Sequence, residues 1–217
     1  MCGLGLFGLI CCLQLSAHAQ DTAVVTFGFD FPGSEPDHYV ISVAYDGRAS
    51  YDSNGKLSPD SEAGDPFRLD FTVSEPTRAR IFDLAKRAHY FEGEIDSKRK
   101  GIASTGTKTL IYKDAHQTSQ ATYNYSPIPA VQELTNLFQK LSTTLEFGRR
   151  LQYFHHYQKL ALDEELKRME EMSKENMLIE VSAVVPILQQ IAADTSVINV
   201  VRARALRLAE MTGNPSK

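Results

Sequence analysis

Alternation of apolar and polar residues is the feature that most constrains the fold of this chain. It extends from Thr22 to about Tyr125 and is clearest between residues 67 and 73. There the apolar positions are Phe67, Leu69, Phe71 and Val73. A period of two places successive side chains on opposite faces of a β-strand, so one face of each strand can be buried. The pattern therefore predicts that this part of the chain forms a sheet.

Turn residues divide the alternating segments into strands. Further strands are predicted over Val25–Phe31, Tyr39–Tyr45, Arg48–Asp52, Thr107–Asp114 and Gln117–Tyr125. Asp46-Gly47 supplies the positive φ that a tight hairpin requires, and the last two strands are predicted to form a second hairpin. We therefore expect the sheet to be antiparallel.

The apolar period changes from two to 3.6 at two places in this region. Ser74 is predicted to cap a helix with the apolar stripe Ile81, Leu84, Ala85 and Ala88. Ser126 and Pro127 open a second helix with the stripe Val131, Leu134, Phe138, Leu141 and Leu145. The order of strands, helix, hairpin and helix predicts an α+β fold, an antiparallel sheet with helices on one face. We assign residues 20–147 to this sandwich domain.

Beyond Leu145 the sequence becomes charged and helical, with a predicted bend at Gly148. We assign residues 148–217 to an all-helical C-terminal region. Pairs of opposite charge at i and i+4 predict a solvent-exposed helix, and these are Asp163 with Lys167, Glu164 with Arg168, and Glu170 with Lys174. Apolar positions in the same helix could form a coiled-coil seam for self-association, namely Leu162, Leu166, Met169 and Met172.

All three cysteines lie within an apolar segment that ends in Ala17-His18-Ala19. The pattern predicts a signal peptide over residues 1–19, cleaved before Gln20, and hence a secreted or periplasmic protein. No Lys or Arg precedes the apolar core, so a membrane anchor formed by an uncleaved signal is the alternative. The remaining chain has no cysteine and must be stabilised by packing rather than by disulfides. Its formal charge of −4 argues against nucleic acid as a partner.

Two groups of residues near the C-terminus are arranged as in a helical repeat. They are Val185-Pro186-Ile187-Leu188 before an Ala192-Ala193-Asp194 turn, and Val201-Arg202, Ala205 and Leu208 after it. Residues 184–211 therefore resemble a single HEAT repeat, which must pack on another element because one repeat cannot bury its apolar face. Burial is expected for Val184, Val185, Leu188, Ile191, Val201, Ala205 and Leu208. The resemblance implies that Arg202 reaches Asp194, and Arg204 and Arg207 are expected to be exposed.

Three segments of the first domain carry a second resemblance. They are His38-Tyr39-Val40-Ile41-Ser42-Val43 with Asp46-Gly47, Arg80-Ile81-Phe82-Asp83-Leu84, and Pro129-Ala130-Val131-Gln132-Glu133-Leu134. Residues 38–145 are similar to small secreted bacterial domains of unknown function. The similarity implies a bacterial cell-envelope setting, and it identifies no catalytic residues because such domains have no established activity.

Candidate chemical groups are dispersed along the sequence. His38, His89 and His116 stand singly, and no Gly-x-Ser-x-Gly motif marks a nucleophile. His155 and His156 point about 100° apart on a helix and are poorly placed to chelate one metal ion. Basic residues could form a patch for an anionic partner or simply a solvated helix face, namely Arg78, Arg80, Lys86, Arg87 and Lys98-Arg99-Lys100. We assign no catalytic, cofactor-binding or metal-binding residue and expect no cofactor.

These observations favour an exported, non-enzymatic binding or scaffolding protein of the bacterial cell envelope. A protein partner is expected to dock through the helical C-terminal region. The alternative is a periplasmic hydrolase whose site assembles from dispersed His, Asp and Ser residues.

Overall fold

A computed structural model of the chain describes residues 23–54, 57 and 66–211. The predicted signal peptide lies outside these ranges. Six strands form one antiparallel sheet in the order β4-β3-β2-β1-β5-β6. Their bounds are β1 Val24–Asp30, β2 His38–Ala44, β3 Arg48–Ser53, β4 Phe67–Thr72, β5 Thr107–Lys113 and β6 Thr118–Tyr123. The predicted α+β fold is confirmed.

In the described part of the chain, five α-helices accompany the sheet and dominate the C-terminal half. They are α1 Glu75–Arg87, α2 Pro129–Tyr157, α3 Leu162–Lys174, α4 Val185–Ala193 and α5 Asn199–Met211. Short 3-10 turns occur at His89–Phe91, Lys159–Ala161 and Val181–Val184. Within the described ranges, no helix is both long and apolar enough to cross a membrane.

Helices α1 and α2 cover one face of the sheet because the alternating residues place their apolar side chains there. Phe27 of β1 lies beside Ile41 of β2 and Leu110 of β5, and all three are fully buried. The ring of Phe27 stacks on Phe138 of α2 with 5.2 Å between centroids. This stacking fixes the middle of α2 over the centre of the sheet.

Helix α2 joins two hydrophobic clusters. The first belongs to the sheet and extends along the chain to Leu145, whereas the second begins at Phe147 and includes buried residues of α3, α4 and α5. The helix continues through Gly148, where we expected a bend. A Cβ atom at this position would lie only 2.5 Å from Cγ1 of Val184. Gly148 therefore permits close packing of the Val181–Val184 turn on α2.

Replacing Gly148 with alanine should lower the free energy of unfolding by up to about 2 kcal/mol. Alanine normally stabilises a helix relative to glycine by about 1 kcal/mol, but the clash with buried Val184 costs about 1–3 kcal/mol. Urea denaturation of the single variants and of Gly148→Ala/Val184→Ala would measure the coupling between the two positions. An increase in stability on Gly148→Ala alone would contradict the close packing.

Helices α4 and α5 form the predicted hairpin against α2 and α3. Six of the expected positions are buried, namely Val184, Leu188, Ile191, Val201, Ala205 and Leu208. Val185 is only half-buried, contrary to expectation, and Ile187 is buried instead because it shares the inward helix face with Leu188 and Ile191.

Two expectations for the arginines of α5 are wrong. Arg202 donates to the backbone carbonyl of Ala192 at 2.9 Å rather than to Asp194. Arg204 is largely covered, because its guanidinium lies 2.5 Å from Asp163 Oδ1 and 3.3 Å from Glu170 Oε2 on α3. Helix α3 therefore supplies carboxylates that hold α5, which the hairpin sequence alone does not reveal.

The proposed coiled-coil seam is used inside this chain. Leu162, Leu166 and Met169 are fully buried in the second hydrophobic cluster. These three side chains are therefore not available to a second copy. Self-association stays a prediction, but it cannot use these three side chains.

Ser74 caps α1 as predicted, because its hydroxyl oxygen accepts from the backbone N–H of Thr77 at 3.5 Å, and a carboxylate from the helical region reinforces this end of the helix. Glu180 accepts hydrogen bonds from the backbone N–H of Ser74 at 3.0 Å, from the Ser74 hydroxyl at 2.6 Å and from the Thr77 hydroxyl. Negative charge at a helix N-terminus is favourable because the first N–H groups carry partial positive charge. Glu180 thus ties the segment after α3 to the start of α1.

Candidate functional site

A groove of ≈ 840 Å³ follows α2, between α3 on one side and the β1–β2 loop on the other. Six residues of α2 line it, namely Gln139, Ser142, Thr143, Glu146, Arg150 and Phe154. These residues recur every three or four positions and therefore share one helix face. At 1.5 Å per residue, the lining from Gln139 to Phe154 extends about 22 Å. We call this feature the α2 groove.

The floor of the α2 groove contains a buried carboxylate. Glu146 is only 3% exposed, and its Oε1 accepts hydrogen bonds from the hydroxyls of Tyr51 and Ser53, each at 2.7 Å. Its Oε2 lies 3.8 Å from the guanidinium of Arg149, which is longer than a good charge-assisted hydrogen bond. The charge is thus held by two neutral donors and one long ion pair.

Two buried tyrosines of neighbouring strands, Tyr39 and Tyr51, remain neutral, and Tyr51 is the one that donates to this carboxylate. Burial raises the pKa of Tyr39 and of Tyr51 above the ordinary value, and the nearby charge of Glu146 raises the pKa of Tyr51 further. The hydroxyls of Tyr51 and Ser142 are 3.1 Å apart. Because Tyr51 stays protonated at neutral pH, it can donate to Glu146 throughout the physiological range.

The opposite wall of the groove carries a compact group of charges. Glu165 of α3 accepts from Arg150 at 2.7 Å and lies 3.5 Å from Arg168. Both guanidinium groups lie 5.0 Å from the ring centroid of Phe147. Two arginines against one glutamate leave this wall with one net positive charge, and Arg150 lies one helical turn, about 6 Å, along α2 from Glu146.

The dispersed histidines are not paired with nucleophiles in the described part of the chain. His38 contacts Asp30 at 2.5 Å, and His155 contacts Asp194 at 2.9 Å. Ser196 also donates to Asp194, at 2.6 Å. In a hydrolytic triad the serine hydroxyl bonds to the histidine, and the histidine bonds to the aspartate. Here Asp194 lies between His155 and Ser196, so the order of contacts differs from that of a triad.

The predicted basic patch is mostly neutralised by neighbouring carboxylates. Arg80 binds Glu133 and lies 3.2 Å from Asp83, Arg87 lies 3.7 Å from Asp83, and Lys98 binds Glu94. Among the described residues, no cluster of three or more histidine, cysteine, aspartate or glutamate side chains could hold a metal ion.

The α2 groove was not predicted from the sequence. Ser142, Glu146 and Arg149 have the spacing of one helix face, but such a row is indistinguishable in sequence from a solvated face. Their burial depends on Tyr51 and Ser53 of β3, which are 95 and 93 positions from Glu146. The resemblance to secreted bacterial domains stays a prediction. No protein-family model matches the chain, and no curated protein matches it.

Proposed function

We propose that this chain is an exported, non-enzymatic binding protein of the bacterial cell envelope that holds an extended segment of a partner protein in the α2 groove. The observation that carries the proposal is the buried Glu146, whose nearest cation among the described residues is the guanidinium of Arg149 at 3.8 Å. Export is supported by the pattern of residues 1–19, and the envelope setting by the resemblance of residues 38–145.

The dimensions of the α2 groove favour an extended polypeptide. At about 3.3 Å per residue, a length of about 22 Å accommodates six or seven residues of an extended chain. Ser34, Gln139 and Thr143 offer hydrogen-bonding groups along the walls, while Phe29 and Met172 offer apolar contact. The backbone of an extended peptide presents N–H donors and C=O acceptors along its length, so it can form hydrogen bonds with the polar groups of this lining.

The charge of Glu146 favours a basic side chain at the centre of that segment. A buried carboxylate is stable only when it is hydrogen-bonded and paired. Oε1 already has two donors, whereas within the described part of the chain the cation beside Oε2 is Arg149, at 3.8 Å. A lysine or arginine of the partner that enters the groove would give Oε2 a close, charge-assisted hydrogen bond.

Binding is favoured over hydrolysis by the surroundings of Glu146. Tyr51 and Ser53 donate to the carboxylate, and the raised pKa of Tyr51 makes this tyrosine a poor base or nucleophile at neutral pH. A screen of the full-length chain against ester, phosphate, peptide and glycan substrates tests the hydrolase alternative. Turnover abolished by one histidine substitution would support that alternative.

Random hexapeptide pools with a fixed central residue would test the proposal. Pools centred on lysine or arginine should be retained by the immobilised full-length chain, and pools centred on norleucine or glutamate should not. Thr143→Phe should abolish retention, because Thr143 lines the groove and is partly exposed. Asn136→Phe is the matched control, because Asn136 is exposed on the same helix and lies outside the groove lining.

The control should retain the basic pools at the wild-type level. The proposal is wrong if no pool is retained, if the norleucine pool is retained equally well, or if both phenylalanine variants behave alike. Circular dichroism of each variant would separate loss of binding from loss of fold.

A further inference from the structure

A second cavity lies between α1 and the sheet and shares no lining residue with the α2 groove. It has a volume of ≈ 230 Å³. Its walls include two pairs of aromatic rings, Tyr45 with Phe82 and Tyr90 with Tyr112. The ring centroids are 5.1 Å apart in the first pair and 4.5 Å apart in the second. We call this cavity the aromatic cleft.

The backbone at Tyr90 is held in an unfavourable conformation. His89, Tyr90 and Phe91 have φ values of 49°, 53° and 68°, so three successive residues with side chains adopt the left-handed region. L-residues avoid this region because Cβ approaches the following carbonyl oxygen. Buried Phe91 and a hydrogen bond from the Ser119 hydroxyl to the Tyr90 carbonyl hold the turn in place. Such strain is concentrated at functional sites, and here it directs the Tyr90 ring against Tyr112.

The charged residues around the aromatic cleft determine whether an anionic or a cationic ligand is favoured. The guanidinium of Arg78 lies 5.1 Å from the Tyr45 ring centroid, donates to the Tyr45 carbonyl at 2.8 Å and lies 3.7 Å from the exposed carboxylate of Glu75. Lys86 also lines the cleft and is exposed, with no carboxylate within ion-pair distance among the described residues. Asp83 is the acidic residue of the lining, and Arg80 and Arg87 already compensate its charge. Arg78 occupies the cation-binding face of Tyr45, so an anionic ligand is favoured over a cationic one.

We propose that the aromatic cleft binds a single planar aromatic ring that carries a carboxylate. The ring packs between the two aromatic pairs, and the carboxylate lies toward Arg78 and Lys86. The volume suits one ring, because sites for larger ligands span about 300–1,000 Å³. This site is separate from the α2 groove and does not depend on the function proposed for that groove.

Titration of the full-length chain with benzoate, followed by the ring signals of ¹³C-labelled tyrosine in NMR spectra, tests the site. Benzoate should produce saturable shifts of the signals of Tyr45, Tyr90 and Tyr112. Benzyl alcohol keeps the ring without the charge, and cyclohexanecarboxylate keeps the charge without the planar ring. Both should bind more weakly than benzoate.

Lys86→Gln should weaken benzoate binding by about two- to fivefold, as expected for loss of one exposed charge, and leave benzyl alcohol unaffected. Lys167→Gln, an exposed lysine on α3, is the matched control and should leave both affinities unchanged. Absence of saturable shifts at millimolar benzoate would overturn the proposal. Equal binding of the three probes, or equal effects of the two lysine variants, would also overturn it.

Discussion

Replacing Leu188 with alanine is expected to lower the free energy of unfolding by about 2–5 kcal/mol, the range for a large-to-small change in a packed core. Leu188 is fully buried in the second hydrophobic cluster, where α4 packs with α2, α3 and α5. Removal of its side chain leaves a cavity that the surrounding helices can fill only in part. Urea denaturation monitored by circular dichroism measures the loss.

Gln189→Ala is the matched control for Leu188→Ala. Gln189 is the next residue of α4 and is exposed, so its substitution should change stability by less than about 0.5 kcal/mol. Equal stabilities of Leu188→Ala and the wild type would mean that the C-terminal hairpin is a loose appendage. That outcome would remove α4 and α5 from the folded core.

Replacing Glu146 with alanine should cost about 3–5 kcal/mol, because it removes one partner of a buried ionic network. The hydroxyls of Tyr51 and Ser53 lose their acceptor, and buried Arg149 loses the nearby negative charge. Glu146→Gln should cost less, since the amide oxygen can still accept from both hydroxyls. Thermal and urea denaturation of the three proteins measures the order.

Glu133 offers a comparison on the same helix. Glu133 also contacts an arginine, Arg80, but both side chains are about half exposed. Glu133→Ala should therefore cost at most about 1 kcal/mol. Similar losses for Glu146→Ala and Glu133→Ala would contradict the buried network.

The fold was predictable where one local pattern dictates burial. In β1 and β2, alternate residues such as Phe27 and Ile41 are apolar, and in the sheet all of them must face the same helices. The inward faces of α1 and α2 follow from a period of 3.6 in the same way. The buried faces of these strands and helices could therefore be predicted without knowing which distant residues contact them.

The α2 groove could not be predicted, because it depends on long-range contacts between polar residues. The sequence around Glu146 would be the same whether its side chain were exposed on a solvated helix face or buried beneath β3. Arg204 shows the same limit, since its exposure was predicted from α5 alone and α3 covers it. Ser74 caps α1 as predicted, but the carboxylate that it binds belongs to Glu180, which is 106 positions away. Local patterns predict which face is apolar, and tertiary packing decides which polar residues are buried.

The most direct test of the α2 groove is a binding cycle that couples Glu146 to the basic residue of a peptide. The peptide is a hexapeptide selected from the lysine pool, and its partner has norleucine in place of the central lysine. Isothermal titration calorimetry would give the affinity of both peptides for the wild type and for Glu146→Gln. We predict that norleucine weakens binding to the wild type at least about tenfold, or about 1.4 kcal/mol, and has little effect on binding to Glu146→Gln. Equal losses in both proteins would show that the lysine does not contact Glu146 and would contradict the proposed function.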